Sequence, residues 1–233
     1  MEKSGQAAGR SAGSIAAVPR GQRASRERGE RTRAKIVEAV ERVIARDGVR
    51  GVTHRAVAAE AGVNLSLTTY YFVDRYDLVA TAFAVFVGYG TEELEQHWAR
   101  AFRHVERLLD QGGGRAGRAK LRDYVTDQVV DYVHRKIVEA PLGLAVEQHI
   151  FSEALLDPRL MDLATEHRRK LLAPLVKLCQ MFGSDEARLD ADLLFGTILR
   201  LEYEALLVPA DEVDRRHIRA SIRRVLGWIL KLT

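Results

Sequence analysis

The fold is decided by twelve residues near the N-terminus, Thr53-His54-Arg55-Ala56-Val57-Ala58-Ala59-Glu60-Ala61-Gly62-Val63-Asn64. The hydroxyl of Thr53 suits the N-cap of a short helix, and Gly62 adopts the positive φ of a tight turn without steric cost. The small Ala58 lets two helices cross closely at a steep angle, and Asn64 is the N-cap of a second short helix. The pattern predicts a helix-turn-helix, although an Ala-Gly-Val turn also joins packed helices that never meet DNA.

The first third of the chain is basic. Residues 1–75 contain fourteen Lys and Arg against eight Asp and Glu, whereas the remaining 158 residues contain 22 against 24. A positive field around the predicted helix-turn-helix attracts a polyanion such as DNA. Six arginines lie between Arg20 and Arg33, and they belong either to a solvated tail or to an arm that enters the minor groove.

Composition and length exclude several classes of protein. The chain has 233 residues, 47% of them hydrophobic, which is enough for one large domain or two small ones. Its single cysteine, Cys179, cannot form an intramolecular disulfide. The longest uncharged stretch, Leu78–Thr91, is shorter than the roughly 20 residues of a membrane helix, and residues 1–25 lack the apolar core of a secretory signal. We expect a soluble cytoplasmic protein that does not bind membranes.

The rest of the sequence predicts helices and no strands, so the expected fold class is all-α. Residues 1–25 have too few large apolar side chains to order themselves and are predicted to be disordered. The predicted elements are a helix from Glu30 to Gly48, a long helix capped by Asp74 and Asp77, a helix over Leu121–Val138 that Pro141 and Gly143 interrupt, a helix starting at Asp157-Pro158, and a last helix capped by Asp211.

The helix-turn-helix region resembles the TetR/AcrR family of bacterial transcription regulators. The resemblance rests on Ala61-Gly62-Val63, nine further residues ending in Phe72, then Asp74-Arg75 and Leu78. The chain has Thr69 where family members often have an aromatic residue and Leu65 where they often have a small one, so its operator sequence is not predictable. The resemblance implies a homodimeric repressor that releases a palindromic operator in double-stranded DNA when a small-molecule effector binds.

This resemblance also implies a division of the chain into three segments. Residues 1–25 form a basic arm, residues 26–75 form the three-helix DNA-binding domain, and residues 76–233 form a larger helical domain for effector binding and dimerisation.

Eight residues are predicted to contact DNA. By resemblance, Arg55 is a candidate for a phosphate or a bidentate contact to guanine, and Arg75 replaces the family's phosphate-binding lysine. Thr53 and Tyr70 carry hydroxyls that suit phosphates, which fix register without reading sequence. The exposed side of the second helix is predicted to reach base edges through Asn64, Leu65, Ser66 and Thr69.

The middle helices are expected to surround an effector cavity, since aromatic and polar groups at depth orient ligands in most small-molecule sites. The candidate lining residues are Phe86, Tyr89, Tyr124, Gln128, Glu147, Phe151 and Tyr203. Glu147 and Glu202 lie on otherwise apolar helices. They fit a cationic ligand, but pairing with an arginine of the chain explains them equally well.

The last two helices carry apolar residues at spacings of 4, 3, 4 and 3, which draws a continuous apolar seam along each helix. Either the seams face the subunit's own core, or they form a four-helix dimer bundle, which the family layout favours. The predicted dimer residues are Leu194, Ile198, Leu201, Ala205, Ile218, Ile222, Val225 and Ile229.

The sequence gives little support to an enzyme. Gly112–Gly117 fits the pattern G-x-G-x-x-G, but no strand precedes it, so a flexible loop is the better interpretation. Glu147 and His149 are two residues apart and would lie on different faces of a helix, while His167 and Cys179 are isolated. We predict no cofactor and no metal. The alternative function is a helical dimeric small-molecule-binding protein without specific DNA binding.

Overall fold

The computed structural model describes residues 20–112 and 114–232, and the side chains of residues 27–88, 94–112 and 114–232. These residues form helices and no strands, which confirms the all-α prediction. The α-helices are α1 (Arg20–Asp47), α2 (His54–Ala61), α3 (Leu65–Tyr71), α4 (Arg75–Asp110), α5 (Arg115–Glu139), α6 (Pro141–Ala154), α7 (Pro158–Met181), α8 (Ala187–Ala205) and α9 (Arg215–Ile229). Short 3₁₀ turns lie at Val49–Gly51 and Ala210–Glu212.

Helix α1 begins ten residues earlier than predicted, at Arg20 instead of Glu30. Residues 20–25 are therefore helical rather than part of a disordered arm, and residues 1–19 lie outside the described residues. Arg and Glu are strong helix formers, and the two glycines of residues 20–29, Gly21 and Gly29, cost only about 1 kcal/mol each. The prediction for the other end is confirmed, since Gly48 follows α1 with a φ of 71°.

The caps around α2, α3 and α4 follow the prediction closely. The Thr53 side chain accepts a hydrogen bond from the amide of Ala56 at 3.1 Å, and Gly62 ends α2 with a φ of 60°. Asp74 accepts from the amide of Asp77 at 2.8 Å, and the Asp77 carboxylate accepts from the amide of Val73 at 3.0 Å. This reciprocal pair fixes where α4 begins.

Two predicted boundaries are wrong. Gly143 does not interrupt a helix: α5 ends before Ala140, Pro141 opens α6, and Gly143 lies inside it. A Cβ at Gly143 would lie 2.9 Å from Cε2 of Phe86, so this glycine permits close packing of α6 on α4. The cap of α9 is Asp214 and not Asp211, because its carboxylate accepts from the first amides of that helix.

Two hydrophobic cores organise the molecule, and both draw on α4 and α6. The N-terminal core joins α1, α2 and the first turns of α4 to Val146 and Ile150 of α6. The C-terminal core joins the second half of α4 to α5, α7, α8 and α9, with Leu144 of α6 at its edge. Helices α4 and α6 are thus shared by both ends of the molecule.

The predicted dimer seams lie inside the subunit. Leu194, Ile198 and Leu201 of α8 and all four predicted residues of α9 are buried in the C-terminal core, and Ala205 packs partly against it. These side chains are not available to a second chain, which contradicts their assignment to a dimer interface. A 4-3-4-3 spacing identifies a buried helix face but not the surface that covers it. Burial excludes seven predicted positions from a dimer interface, Leu194, Ile198, Leu201, Ile218, Ile222, Val225 and Ile229, whereas Ala205 is half-buried.

None of the helices in the described ranges is long and apolar enough to cross a bilayer.

Candidate DNA interface and ligand cavity

Helices α2 and α3 form a compact wedge. Val57 and Ala61 point inward from α2, and Phe72, at the end of α3, is 1% exposed. Thr68 is fully buried and donates its hydroxyl to the carbonyl of Leu65 at 2.8 Å. Buried groups on one side of each short helix leave the opposite side to solvent, which is the arrangement that a groove-reading helix requires.

Seven of the eight predicted DNA-contact residues lie on this wedge, and Arg75 lies at the start of α4. Arg55 is exposed, and its guanidinium forms no hydrogen bond or ion pair with the described part of the chain. Arg75 is half-buried at the first turn of α4, close enough to Asp157 to contribute, after Arg159, to the lowered pKa of that carboxyl. The other six are exposed: Thr53, Asn64, Leu65, Ser66, Thr69 and Tyr70.

The polar side chains of this surface differ in what they offer. Asn64 occupies the N-cap position of α3 without a side-chain capping bond, so its amide has both donors and its acceptor to present. Thr69 donates its hydroxyl to the carbonyl of Ser66 at 3.2 Å, which leaves its methyl group and oxygen lone pairs. Thr53 accepts from its own helix and keeps its hydrogen for an acceptor such as a phosphate oxygen.

A cavity of about 540 Å³ lies in the C-terminal half, between α4, α5, α6 and α7. Its walls are mainly aromatic and aliphatic, with Trp98 and Phe102 stacked at 5.4 Å between ring centres. This volume falls within the range of sites for small organic ligands. The lining includes Phe86, Leu94, Trp98, Phe102, Tyr132, Lys136, Glu147, His167, Lys170, Leu171 and Lys177.

A group of four ionisable side chains, Lys136, Glu147, His167 and Glu202, lies beside this cavity, and the first three line it. We call this group the Lys136 cluster. The ammonium of Lys136 donates to Glu147 at 2.8 Å and to Glu202 at 3.0 Å. Nε2 of His167 lies 3.2 Å from the second oxygen of Glu147. Both carboxylates are 1% exposed, so one buried ammonium faces two buried carboxyl groups.

The two carboxyl groups differ in acidity. Burial raises the pKa of Glu202 to about 7. Attraction by Lys136 lowers this pKa and only partly offsets burial, while repulsion from Glu147 raises it further. Burial also raises the pKa of Glu147, but Lys136 and the hydrogen bond with His167 outweigh burial and hold it below its ordinary value. Burial opposes the charge of Lys136, and the two carboxylates keep its pKa above the ordinary value.

The residues predicted to line a ligand site differ in their positions relative to this cavity. Phe86 and Glu147 line the cavity. Phe151 stacks on His167 at 5.9 Å and Tyr203 follows Glu202 on α8, but neither is among the lining residues. Tyr124 and Gln128 do not line it either, because they lie nearer the start of α5, where the ring of Tyr124 lies 4.1 Å from that of His104, centre to centre. The side chain of Tyr89 lies outside the described residues.

Sequence reasoning missed the most polar part of the wall. His167 was predicted to be isolated, but in the structure it contacts Glu147, which lies 20 residues earlier in the sequence. Lys136 and Tyr132 are four residues apart on α5, and this shared helix face is the signal that could have indicated them. The described residues include no group of three His, Cys, Asp or Glu side chains that could hold a metal ion.

No sequence model of a protein family matches the chain, and no curated protein matches it. Solved structures do. A protein from Mesorhizobium loti assigned to the TetR family of transcriptional regulators is 16% identical with a TM-score of 0.57, over 88% of this chain and 98% of that one. A transcriptional regulator from Streptomyces coelicolor A3(2) is 26% identical with a TM-score of 0.56, over 84% and 98%.

The multidrug-binding protein EbrR, in complex with ethidium, is 23% identical with a TM-score of 0.57, over 83% of this chain and 97% of that one. The chain has the TetR-family fold. Its α2–α3 unit is the helix-turn-helix of that fold, and its cavity lies in the helical C-terminal half.

The two halves of this TetR-family fold are joined by α6 as well as by α4. Glu147 of α6 belongs to the Lys136 cluster, while Glu153 at the end of the same helix pairs with Arg50 at 3.3 Å. Arg50 lies in the turn that connects α1 to α2. One short helix therefore contacts both the cavity wall and the segment that leads into the helix-turn-helix.

Proposed function

We propose that this protein is a ligand-responsive transcriptional regulator. It binds a palindromic operator as a homodimer through α2 and α3, and it acts as a repressor that releases DNA when a small molecule occupies the cavity. The observation that carries this proposal is the joint presence, in one TetR-family fold, of a large cavity and an exposed recognition surface on which Arg55 has no partner among the described residues.

The recognition surface supports binding to specific DNA. Arg55 has no partner within the described chain, so its charge is available to a phosphate or to a guanine edge. The exposed side chains of α3 supply hydroxyl, amide and methyl groups, which are the groups that distinguish bases in the major groove. An ordinary helical binding protein has no requirement for this combination.

The shared helices support coupling between ligand and DNA. A ligand that favours one arrangement of α4 and α6 shifts the population of that arrangement, and a tenfold change in DNA affinity needs only about 1.4 kcal/mol of differential binding. A protein of the same fold, the multidrug-binding protein EbrR, binds ethidium, which supports a small-molecule ligand for this cavity.

Because the predicted seams are buried, the proposed dimer needs another surface. Leu189 and Leu193 are exposed on the outer side of α8, and Gly196 follows one turn later with open space beyond it. A self-complementary stripe of this kind suits a two-fold interface. Two copies would place their recognition helices about 34–36 Å apart, as successive major grooves require.

The test is a selection of bound sequences from random DNA by the purified, ligand-free protein, followed by affinity measurements across salt concentrations. A two-fold symmetric motif with steep salt dependence is expected. Sequence-blind binding, or none by a folded dimer, would contradict the proposal and favour a small-molecule-binding protein without a DNA role.

A further inference from the structure

The Lys136 cluster is not electrostatically complete. Its single lysine is shared by two carboxylates, and both oxygens of Glu147 have partners. Glu202 uses Oε2 for Lys136, while Oε1 is buried and accepts no hydrogen bond from the described residues. A buried acceptor without a donor costs free energy comparable to a lost hydrogen bond, and more when the group is charged.

The unpartnered oxygen belongs to a residue that faces a second, smaller space. Glu202 lines a pocket of about 30 Å³ together with Leu199 and Phe195. Leu94, Trp98, Tyr132, Lys136 and Leu171 line both this pocket and the large cavity, so the two spaces are adjacent. The smaller one has room for about one small polar group.

The walls of the large cavity are suited to binding an aromatic ring system. Trp98 and Phe102 form a stacked pair, and Tyr132 and Phe86 add further ring surfaces. Aromatic faces attract cations as well as apolar groups. His167 offers a second acceptor. When the neutral ring donates Nε2–H to Glu147, the buried Nδ1 carries a lone pair, and this atom has no partner in the described chain.

The outer rim of the large cavity is positively charged, but its cations already have partners. Lys170 and Arg169 both face Glu166, and Nζ of Lys177 lies 4.5 Å from the ring centre of Phe102. These cations are thus already engaged at the surface, where ion pairs contribute little. An anionic group that reached the interior would have to compete with Glu147 and Glu202 for the single ammonium of Lys136.

We propose that the effector is an aromatic cation that carries N–H donors, and that its charged nitrogen occupies the small pocket and donates to Glu202. The inference rests on the proposed function, since it names the chemistry of the effector that the cavity takes. A ligand of this class supplies both the missing donor and the missing positive charge of the Lys136 cluster.

The test uses three naphthalene probes of nearly equal size: the amine naphthalen-2-ylmethanamine, the neutral naphthalen-2-ylmethanol and the anion naphthalene-2-carboxylate. Binding to the full chain without DNA is measured by calorimetry at pH 7.5. We expect the amine to bind at least tenfold more tightly than the alcohol, and the carboxylate to bind most weakly.

Glu202→Gln keeps the shape of the side chain and its bond with Lys136 but removes the negative charge. It is expected to reduce affinity for the amine at least tenfold and to leave affinity for the alcohol within twofold. Glu204→Gln is the matched control, because Glu204 lies on the same helix, exposed and paired with Arg200. A melting curve of each variant separates loss of folding from loss of binding.

Two results would overturn the inference: the carboxylate binding most tightly, or Glu202→Gln leaving the preference for the amine unchanged. Either result leaves operator binding, and hence the proposed function, intact. Absence of DNA binding would instead reject the proposed function, while the three probes would still report the charge preference of the cavity.

Discussion

Lys136 is one ammonium held between two buried carboxyl groups, and this ratio makes Glu202 the side chain that responds to pH near neutrality. Folding raises the pKa of Glu202 to about 7, so between its ordinary value of 4.5 and pH 7 the folded chain holds a proton that the unfolded chain has released. Stability contributed by this group is therefore lost as pH rises through that range. Glu147 has the opposite sign, and its contribution is lost as pH falls.

The expected consequence concerns the free energy of unfolding. Between pH 5 and pH 8 the wild type loses stability relative to Glu202→Gln, by on the order of 2 kcal/mol, because only the wild type must ionise a buried carboxyl. Urea unfolding at several pH values measures the difference, with Glu204→Gln as the exposed control. Parallel pH profiles for the wild type and Glu202→Gln would show that Glu202 is ionised throughout.

Arg75 provides a second prediction, about DNA affinity. It lies at the N-terminus of α4, beside the recognition helix, where a phosphate contact positions the protein without reading sequence. Arg75→Ala should weaken binding to all DNA sequences alike and lower the slope of log K against log salt by about one. Arg188→Ala, on the distant helix α8, serves as control. A loss confined to one operator position would make Arg75 a base reader.

Among the secondary-structure elements, α6 combines two contacts, one near its middle and one at its C-terminal end. Glu147 joins the cavity wall, and Glu153 pairs with Arg50 in the turn before α2. Near the start of α6, Gly143 lets the helix pack against the ring of Phe86, which itself lines the cavity. The placement of this helix thus depends on the absence of a side chain at one position.

Gly143→Ala tests this dependence. The added methyl would lie 2.9 Å from Phe86, whose ring can turn into the neighbouring cavity. We expect affinity for the naphthalene amine to fall about fivefold or more, while stability changes by less than about 1 kcal/mol because alanine favours the helix. Gly88→Ala, where a methyl meets no described atom within 4 Å, is the control for calorimetry and urea unfolding. Equal binding by both variants would contradict the expectation.

Locally determined elements were predictable from the sequence, and contacts between distant elements were not. Thr53, Gly62 and Asp74 act on neighbouring amides, so α2, α3 and the start of α4 followed from residue type and spacing. The contact of Lys136 with Glu202 spans 66 residues, and no local pattern encodes it. The periodicity of α8 and α9 correctly indicated buried faces, but the covering surface was the subunit's own core.

At the scale of the whole molecule, the question is which surface pairs two copies. The outer side of α8 exposes Leu193 by 55% and Leu189 by 54%, which is costly for a surface that only water covers. Leu193→Glu should convert the dimer to a monomer and reduce operator affinity at least tenfold, since one half-site is then bound alone. Light scattering after size exclusion measures the mass.

Leu207→Glu is the control for that variant, because Leu207 is exposed beyond the end of α8. An unchanged dimer mass for Leu193→Glu would assign dimerisation to another face of the molecule.

Helix α4 has 36 residues and is thus about 54 Å long, continuous from the helix-turn-helix to the end of the C-terminal core. A rod of that length acts as a lever. A tilt of about 4° about its C-terminal end moves its N-terminal end by roughly 4 Å, comparable to the rise of one base pair. In a two-fold pair the displacements of the two subunits add. A rearrangement no larger than the turning of an aromatic ring would therefore change the spacing of the two recognition helices, so that they no longer fit successive major grooves.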